Sequence, residues 1–193
     1  PGKSIDFGFD VKTYFNPLVK QLTKFYNAGS IEPIEFYGNC YNGNADLYTT
    51  MSYLPHVDTF PGADEDINPL NDYAFNLNVT KSDKVNTAFY SFNNKKSICD
   101  WTPDDYDDFD RVRDRHKKIK AKDWRLLSSE NFQNFQLEYI ANIEYNSLIL
   151  YPSHYWHSVY IKEDWFTDTD RVTFTGFFET KTTSSKTKKL GFG

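Results

Sequence analysis

Three residues of this 193-residue chain have the types and spacing of a metal site: His56 and Asp58, two apart, and His157, far downstream. Residues two apart on an extended chain point to the same side. An imidazole and a carboxylate there present two ligands together. A distant histidine completes a facial set of two nitrogens and one oxygen, leaving positions open on iron(II) for oxygen and a chelating acid. The His-x-Asp pair alone is common. What sharpens it is Arg171, because His157 and Arg171 flank the polar stretch 162–170, with Asp164 midway between them. If that stretch is a hairpin connection, the two face each other with Cβ atoms about 5 Å apart. The planar fork of an arginine placed there can reach past a metal and grip the far carboxylate of a bound diacid, which a lysine would not match. Thr173, two residues on, shares the strand face of Arg171. His154 competes with His157 for the ligand role. A strand ending at Pro152 puts His154 in the turn and His157 at the start of the next strand, which favours His157.

These residues need elements to hold them. Leu18, Val19, Leu22, Phe25 and Tyr26 recur at helical spacing and predict a helix over Asn16–Asn27, stopped by Gly29. After it the period changes. Segments 31–36, 47–53, 73–79, 85–92, 135–143, 147–151, 158–161 and 171–179 read as strands between turns rich in Gly, Asn, Asp and Pro. One helix followed by about eight short strands predicts a sandwich or barrel. The stretch Asp100–Arg125 interrupts the pattern, with six aspartates up to Asp110 and then a run of Arg and Lys. Adjacent blocks of opposite charge predict a solvated, partly helical surface insert, with a lid over the active site as the sharper alternative.

Composition narrows the function classes. Aromatics reach 18%, a bias that favours sheet. A formal charge of -5 argues against a nucleic-acid partner. No apolar run has the roughly 20 residues of a membrane helix, and no secretory leader is read. Cys40 and Cys99 make neither a disulfide framework nor a zinc cluster, so the expected compartment is the reducing cytoplasm.

His-x-Asp, a long gap, a histidine and then an arginine resembles the 2-oxoglutarate/iron(II)-dependent dioxygenase superfamily. The strings LPHVD, YAFNLNV, TAFYSF, NSLILYPSHYWHSVYI and RVTFTGFF resemble its prolyl-hydroxylase-like branch, and within it a group of bacterial and phage proteins. The resemblance covers roughly Ala45–Phe178, apart from the charged insert, which matches nothing in the pattern. It implies a double-stranded β-helix, a mainly β jelly-roll or cupin-like barrel with the metal at one mouth. The chain then reads as one oxygenase domain: N-terminal support over 1–44, barrel core over 45–179 with the insert at 100–125, and a frayed tail over 180–193. His56, Asp58 and His157 match the metal ligands, Arg171 the partner of the C5 carboxylate of 2-oxoglutarate, and Thr173 a second contact to it. Tyr48 and Tyr53 lie where relatives place a tyrosine near the co-substrate. The implied cofactors are Fe(II), 2-oxoglutarate and O2. Asp58 favours hydroxylation over halogenation, since halogenating relatives carry a small residue there. The implied substrate is a small molecule or a peptide, with amino-acid and peptidyl groups favoured. The rivals are a non-catalytic barrel that only binds, which would have no use for all four residues, and a cupin-like dioxygenase, which would not need Arg171. The His-Glu-x-x-His of zinc hydrolases is absent.

Overall fold

The computed structural model describes residues 11–25, 30–41, 54–59, 72–117, 131–132, 134–162, 165–166 and 169–181. The strand expected over 47–53, with Tyr48 and Tyr53, lies outside them, as do residues 118–125 of the insert and 182–193 of the tail.

The described chain is mainly β. Helix α1 (Val11–Phe25) and strands β1 (Ser30–Tyr41), β2 (Asp72–Asn78) and β3 (Asn86–Phe92) come first. A 3-10 turn (Ile98–Asp100) and helix α2 (Pro103–His116) follow. Then come β4 (Asn131–Phe132), β5 (Phe135–Asn142), β6 (Leu148–Pro152), β7 (His157–Tyr160) and β8 (Arg171–Lys181). The strands form two four-stranded antiparallel sheets, the first in the order β1-β8-β2-β6 and the second in the order β4-β5-β3-β7. No helix among the described residues is long and apolar enough to cross a membrane.

Helix α1 starts at Val11, a turn before the expected Asn16, and passes through Pro17. The proline removes one backbone hydrogen bond, but the apolar stripe begins with Phe15. With Leu18, Val19 and Leu22, Phe15 packs on Phe75, Phe178, Leu77, Leu148 and Leu150 of the first sheet. Burial of that stripe outweighs the local defect. Strand β8 likewise continues two residues into the expected tail, because it is paired with β1 up to Ser30 opposite Lys181.

Because α1 takes one face of the first sheet, the other face must look toward the second sheet. Toward one end that inner face carries a run of polar residues. Asn76 pairs with Thr175 and Asn78 with Thr173, and Arg171 lies two residues further along β8. Asn78 is fully buried, donating to the Ile143 carbonyl at 2.7 Å and accepting from the Thr80 N–H at 2.7 Å. One part of the gap between the sheets is plugged by Val85, Ile143, Ile161 and Phe166, with Ile149 and Val159 against them. The polar residues line the rest.

The outer face of the second sheet carries an aromatic cluster in which Phe92, Phe135 and Trp156 are buried, with Trp101 stacked 4.7 Å from Trp156. The described part of the charged insert is helix α2, and it is not all solvated. Helix α2 closes this cluster with Phe109 and the buried Val112, and its charges pair along its exposed face, Arg113 with Asp110 at 2.8 Å and Lys117 with Asp114 at 3.0 Å. Nor is α2 a lid, since it covers the face opposite to Phe89 and His157. Its start is fixed by a capping box between Thr102 and Asp105.

Asp105 is 4% exposed. Burial alone would raise its carboxyl, but hydrogen bonds from Lys95, Thr102 and Asn93 hold it well below the usual carboxylate range. Asp105→Ala is expected to cost about 3 kcal/mol in urea denaturation, since it strips a buried network of its acceptor. A depressed folded pKa contributes stability that is complete above the unfolded value of about 4 and is lost as pH falls below it. The gap between wild type and variant should therefore narrow in acid.

Candidate metal centre

Two backbone devices bring the separated segments together. His56 and His157 exchange both backbone hydrogen bonds, His56 N–H to the His157 carbonyl at 2.8 Å and His157 N–H to the His56 carbonyl at 2.9 Å. That pairing adds the His56 segment to the free edge of β7, with both imidazoles on one face and ring centroids 4.5 Å apart. Asp58 N–H donates to the Ser153 carbonyl at 2.9 Å, and Ser153 is itself tied to the Asp72 carbonyl through its N–H and hydroxyl. The turn before His157 thus holds the segment that carries His56 and Asp58.

Packing sets the direction of the side chains. Leu54 and Val57 are buried in the aromatic cluster, and so is Trp156. Val57 alternates with His56 and Asp58, and Trp156 precedes His157, so the ligands project to the opposite side. Asp58 Oδ2 lies 3.4 Å from His157 Nε2, and Asp58 Oδ1 lies 3.9 Å from His56 Nε2. The three donor atoms fall within 4.8 Å of one another. His56 stands at the rim with 54% of its side chain exposed, whereas His157 is 4% exposed.

The donor set fits a cation. His157 Nδ1 lies 3.0 Å from the Tyr155 carbonyl and His56 Nδ1 lies 3.3 Å from the Leu54 carbonyl. A carbonyl only accepts, so each Nδ1 carries the proton and each Nε2 presents a lone pair to the centre. Burial lowers His157 to about 4, opposed by its bond to the Tyr155 carbonyl. Burial raises Asp58 to about 6 against the pull of His56. Asp58 Oδ2 is buried and receives no hydrogen bond from the described residues. Two imidazole nitrogens and a buried carboxylate oxygen converge, a donor set that suits a divalent metal.

The predicted opposition of His157 and Arg171 does not hold. His157 lies opposite Phe89 on β3 and His56 on its other side, whereas Arg171 lies on β8 of the first sheet, opposite Tyr41. Strands β7 and β8 belong to different sheets. The shared face of Arg171 and Thr173 does hold. Both are buried, and Arg171 Nη1 donates to Thr173 Oγ1 at 3.4 Å. They sit on the inner face that also carries Thr175, and Thr175 is joined to the metal centre by hydrogen bonds. Thr175 Oγ1 donates to Asn76 Oδ1 at 2.7 Å, Asn76 Nδ2 to the Tyr151 hydroxyl at 3.1 Å, and that hydroxyl lies 3.3 Å from His157 Nε2. His154 occupies the turn, its ring against Tyr155, and is not one of the converging ligands.

Tyr151, Asn76 and Thr175 were not among the residues singled out by spacing. The available signal was Tyr151 itself, the last aromatic of a strand whose tight turn Pro152-Ser153 leads straight back to His157. On the second sheet, Phe89 packs edge-on to Tyr151 at 5.2 Å and lies 6.3 Å from the His157 ring, forming an apolar wall. Thr87, on the same face of β3, buries a hydroxyl that has no hydrogen-bond partner among the described residues.

No family model matches the chain, and no curated protein matches it. Among solved structures, the crystal structure of HygX from Streptomyces hygroscopicus with nickel and 2-oxoglutarate bound is similar at 11% identity, over 92% of this chain and 73% of that one, with a TM-score of 0.44. At that distance the likeness carries no argument, and the chemistry of the site stands on its own residues.

Proposed function

We propose that this chain is an iron(II)- and 2-oxoglutarate-dependent oxygenase that hydroxylates an amino-acid or peptidyl substrate on a double-stranded β-helix. The observation that carries the proposal is the convergence of His56, Asp58 and His157, with donor atoms within 4.8 Å of one another. Two nitrogens and one carboxylate are the facial set that leaves iron(II) open positions. Support for 2-oxoglutarate comes from Arg171 and Thr173, buried side by side on the inner face that leads through Thr175 to His157. A guanidinium there suits the far carboxylate of an acid whose other end chelates the metal. The alternation of β5, β6, β7 and β8 between the two sheets supports the double-stranded β-helix. Asp58, a carboxylate rather than a small residue, favours hydroxylation.

When bound together, iron(II), 2-oxoglutarate and O2 supply the oxidation: the acid leaves as succinate and CO2, and one oxygen atom enters the substrate C–H bond. The chain's part is to hold and orient these groups and to keep water off His157 with Phe89 and Tyr151. The cytoplasm, which keeps iron divalent, is the proposed compartment.

Protein supplied with iron(II), ascorbate, O2 and 2-oxoglutarate is expected to release succinate slowly even without a substrate, and His157→Ala to fall to background. Metal binding with no consumption of 2-oxoglutarate would favour a cupin-like dioxygenase instead.

A further inference from the structure

Strand β5 breaks its register at the level of the metal centre. Phe89 pairs with Tyr139 and Tyr90 with Leu137, so Glu138 has no residue opposite it on β3. Such a bulge re-aims the side chains beside it. Leu137 and Ile140 pack on the aromatic cluster of the outer face. Glu138 and Tyr139, between them, both turn to the inner face. There Glu138 Oε1 accepts from the buried Ser91 hydroxyl at 2.7 Å, two residues along β3 from Phe89. The Tyr139 ring stacks on Phe89 with centroids 6.5 Å apart, yet the residue is 64% exposed. Phe89 also lies opposite His157, so His56, His157, Phe89 and Tyr139 form one row across the sheet. Tyr139 stands two strand spacings from His157, about 10 Å.

We propose that Glu138 and Tyr139 seat the guanidinium of an arginine in a peptidyl substrate, while another residue of the same peptide lies at the metal. The reacting position rests on the oxygenase reading above, and the seat itself does not. An aromatic face beside a carboxylate suits a cation, the ring through its quadrupole and the acid through its charge. Arginine uses both, because its plane stacks on the ring while its fork meets the carboxylate. Glu138 has capacity left for such a guest. Oε1 takes the Ser91 proton, and Oε2 lies 3.6 Å from Nζ of the exposed Lys96, a surface pair of little strength. A guest arginine displaces that lysine. The distance of about 10 Å between seat and metal selects the class of substrate. In a single amino acid the reacting carbon and the charge lie closer together, whereas about three residues of extended chain span the gap. The row is the floor under a peptide.

The test uses fluorescein-labelled mixtures of short peptides, random at every position but a central one, which is fixed as Arg, Leu or Glu. Their binding to cobalt(II)-loaded protein is followed by fluorescence anisotropy, with free L-arginine as a competitor. The Arg mixture is expected to bind about tenfold more tightly than the other two. Tyr139→Ser and Glu138→Gln should each weaken it about fivefold, and Lys96→Ala should strengthen it about twofold. Glu138 and Tyr139 are exposed, so the variants keep the fold. No binding by the Arg mixture, or equal binding by all three, overturns the seat. So does a preference for arginine that survives Tyr139→Ser, which is only general attraction to an acidic chain. Free L-arginine that competes as well as the peptides overturns the peptidyl assignment. Incubation of the Arg mixture with iron(II), 2-oxoglutarate and O2, read by mass spectrometry, separates the two readings. Peptides that bind as expected but gain no oxygen atom count against the oxygenase reading and leave the seat standing.

Discussion

Asp58→Ala is expected to lose tight metal binding, while its metal-free form is at least as stable as wild type. The two halves of that result follow from one observation. Asp58 is a buried carboxylate whose Oδ2 receives no hydrogen bond among the described residues, and its pKa is raised to about 6 by burial. Such a group costs stability in the folded protein unless a cation is bound. Removing it relieves that cost but takes one of three ligands, so affinity should fall roughly a hundredfold or more. At a metal concentration a hundred times the wild-type Kd, binding stabilises wild type by about 2.7 kcal/mol. A variant whose Kd is a hundredfold weaker gains only about 0.4 kcal/mol under the same conditions. Thermal unfolding with and without metal reads both effects. An equal metal-induced rise in Tm for the two proteins would mean that the metal sits elsewhere.

The second large effect belongs to Arg171. In the proposed function, Arg171→Ala should lower the affinity for 2-oxoglutarate by about a hundredfold or more, the scale of a lost buried charge-assisted contact. Metal affinity should stay within about threefold, because Arg171 is on the first sheet and the ligands are on the second. Arg171→Lys keeps the charge but loses the fork and the bond to Thr173 Oγ1, and should recover only a small part of the affinity. Calorimetric titration of the acid into metal-loaded protein separates the three. Metal and co-substrate affinities that fall by the same factor would instead show collapse of the gap between the sheets.

The convergence of His56, Asp58 and His157 was legible because it depends on local rules. Alternation along an extended chain puts His56 and Asp58 on one side, and Pro152 ends a strand so that His157, not His154, begins the next. The partner of His157 was not legible. A polar stretch between two strands looks the same whether it turns a hairpin or joins two sheets, and here the two strands belong to different sheets. The polar lining was hidden by a pattern that usually means something else. In β2, Phe75 and Leu77 alternate with Asn76 and Asn78, which reads as a strand with one wet face. The apolar face is covered by α1, and the polar face is inside. The same holds for Arg171, Thr173 and Thr175 against Gly176 and Phe178. In helix α2 the charges dominate the composition and lie on its exposed face, while two residues three apart, Phe109 and Val112, pack it on the aromatic cluster.

The most direct measurement is an anaerobic titration of the protein with iron(II) and 2-oxoglutarate, watched for the weak visible charge-transfer band of the chelate. The account predicts a band in wild type, a much weaker one in Arg171→Ala at the same concentration of acid, and none in His157→Ala. Absence of a band in wild type, with iron binding unaffected by His157→Ala, would contradict it.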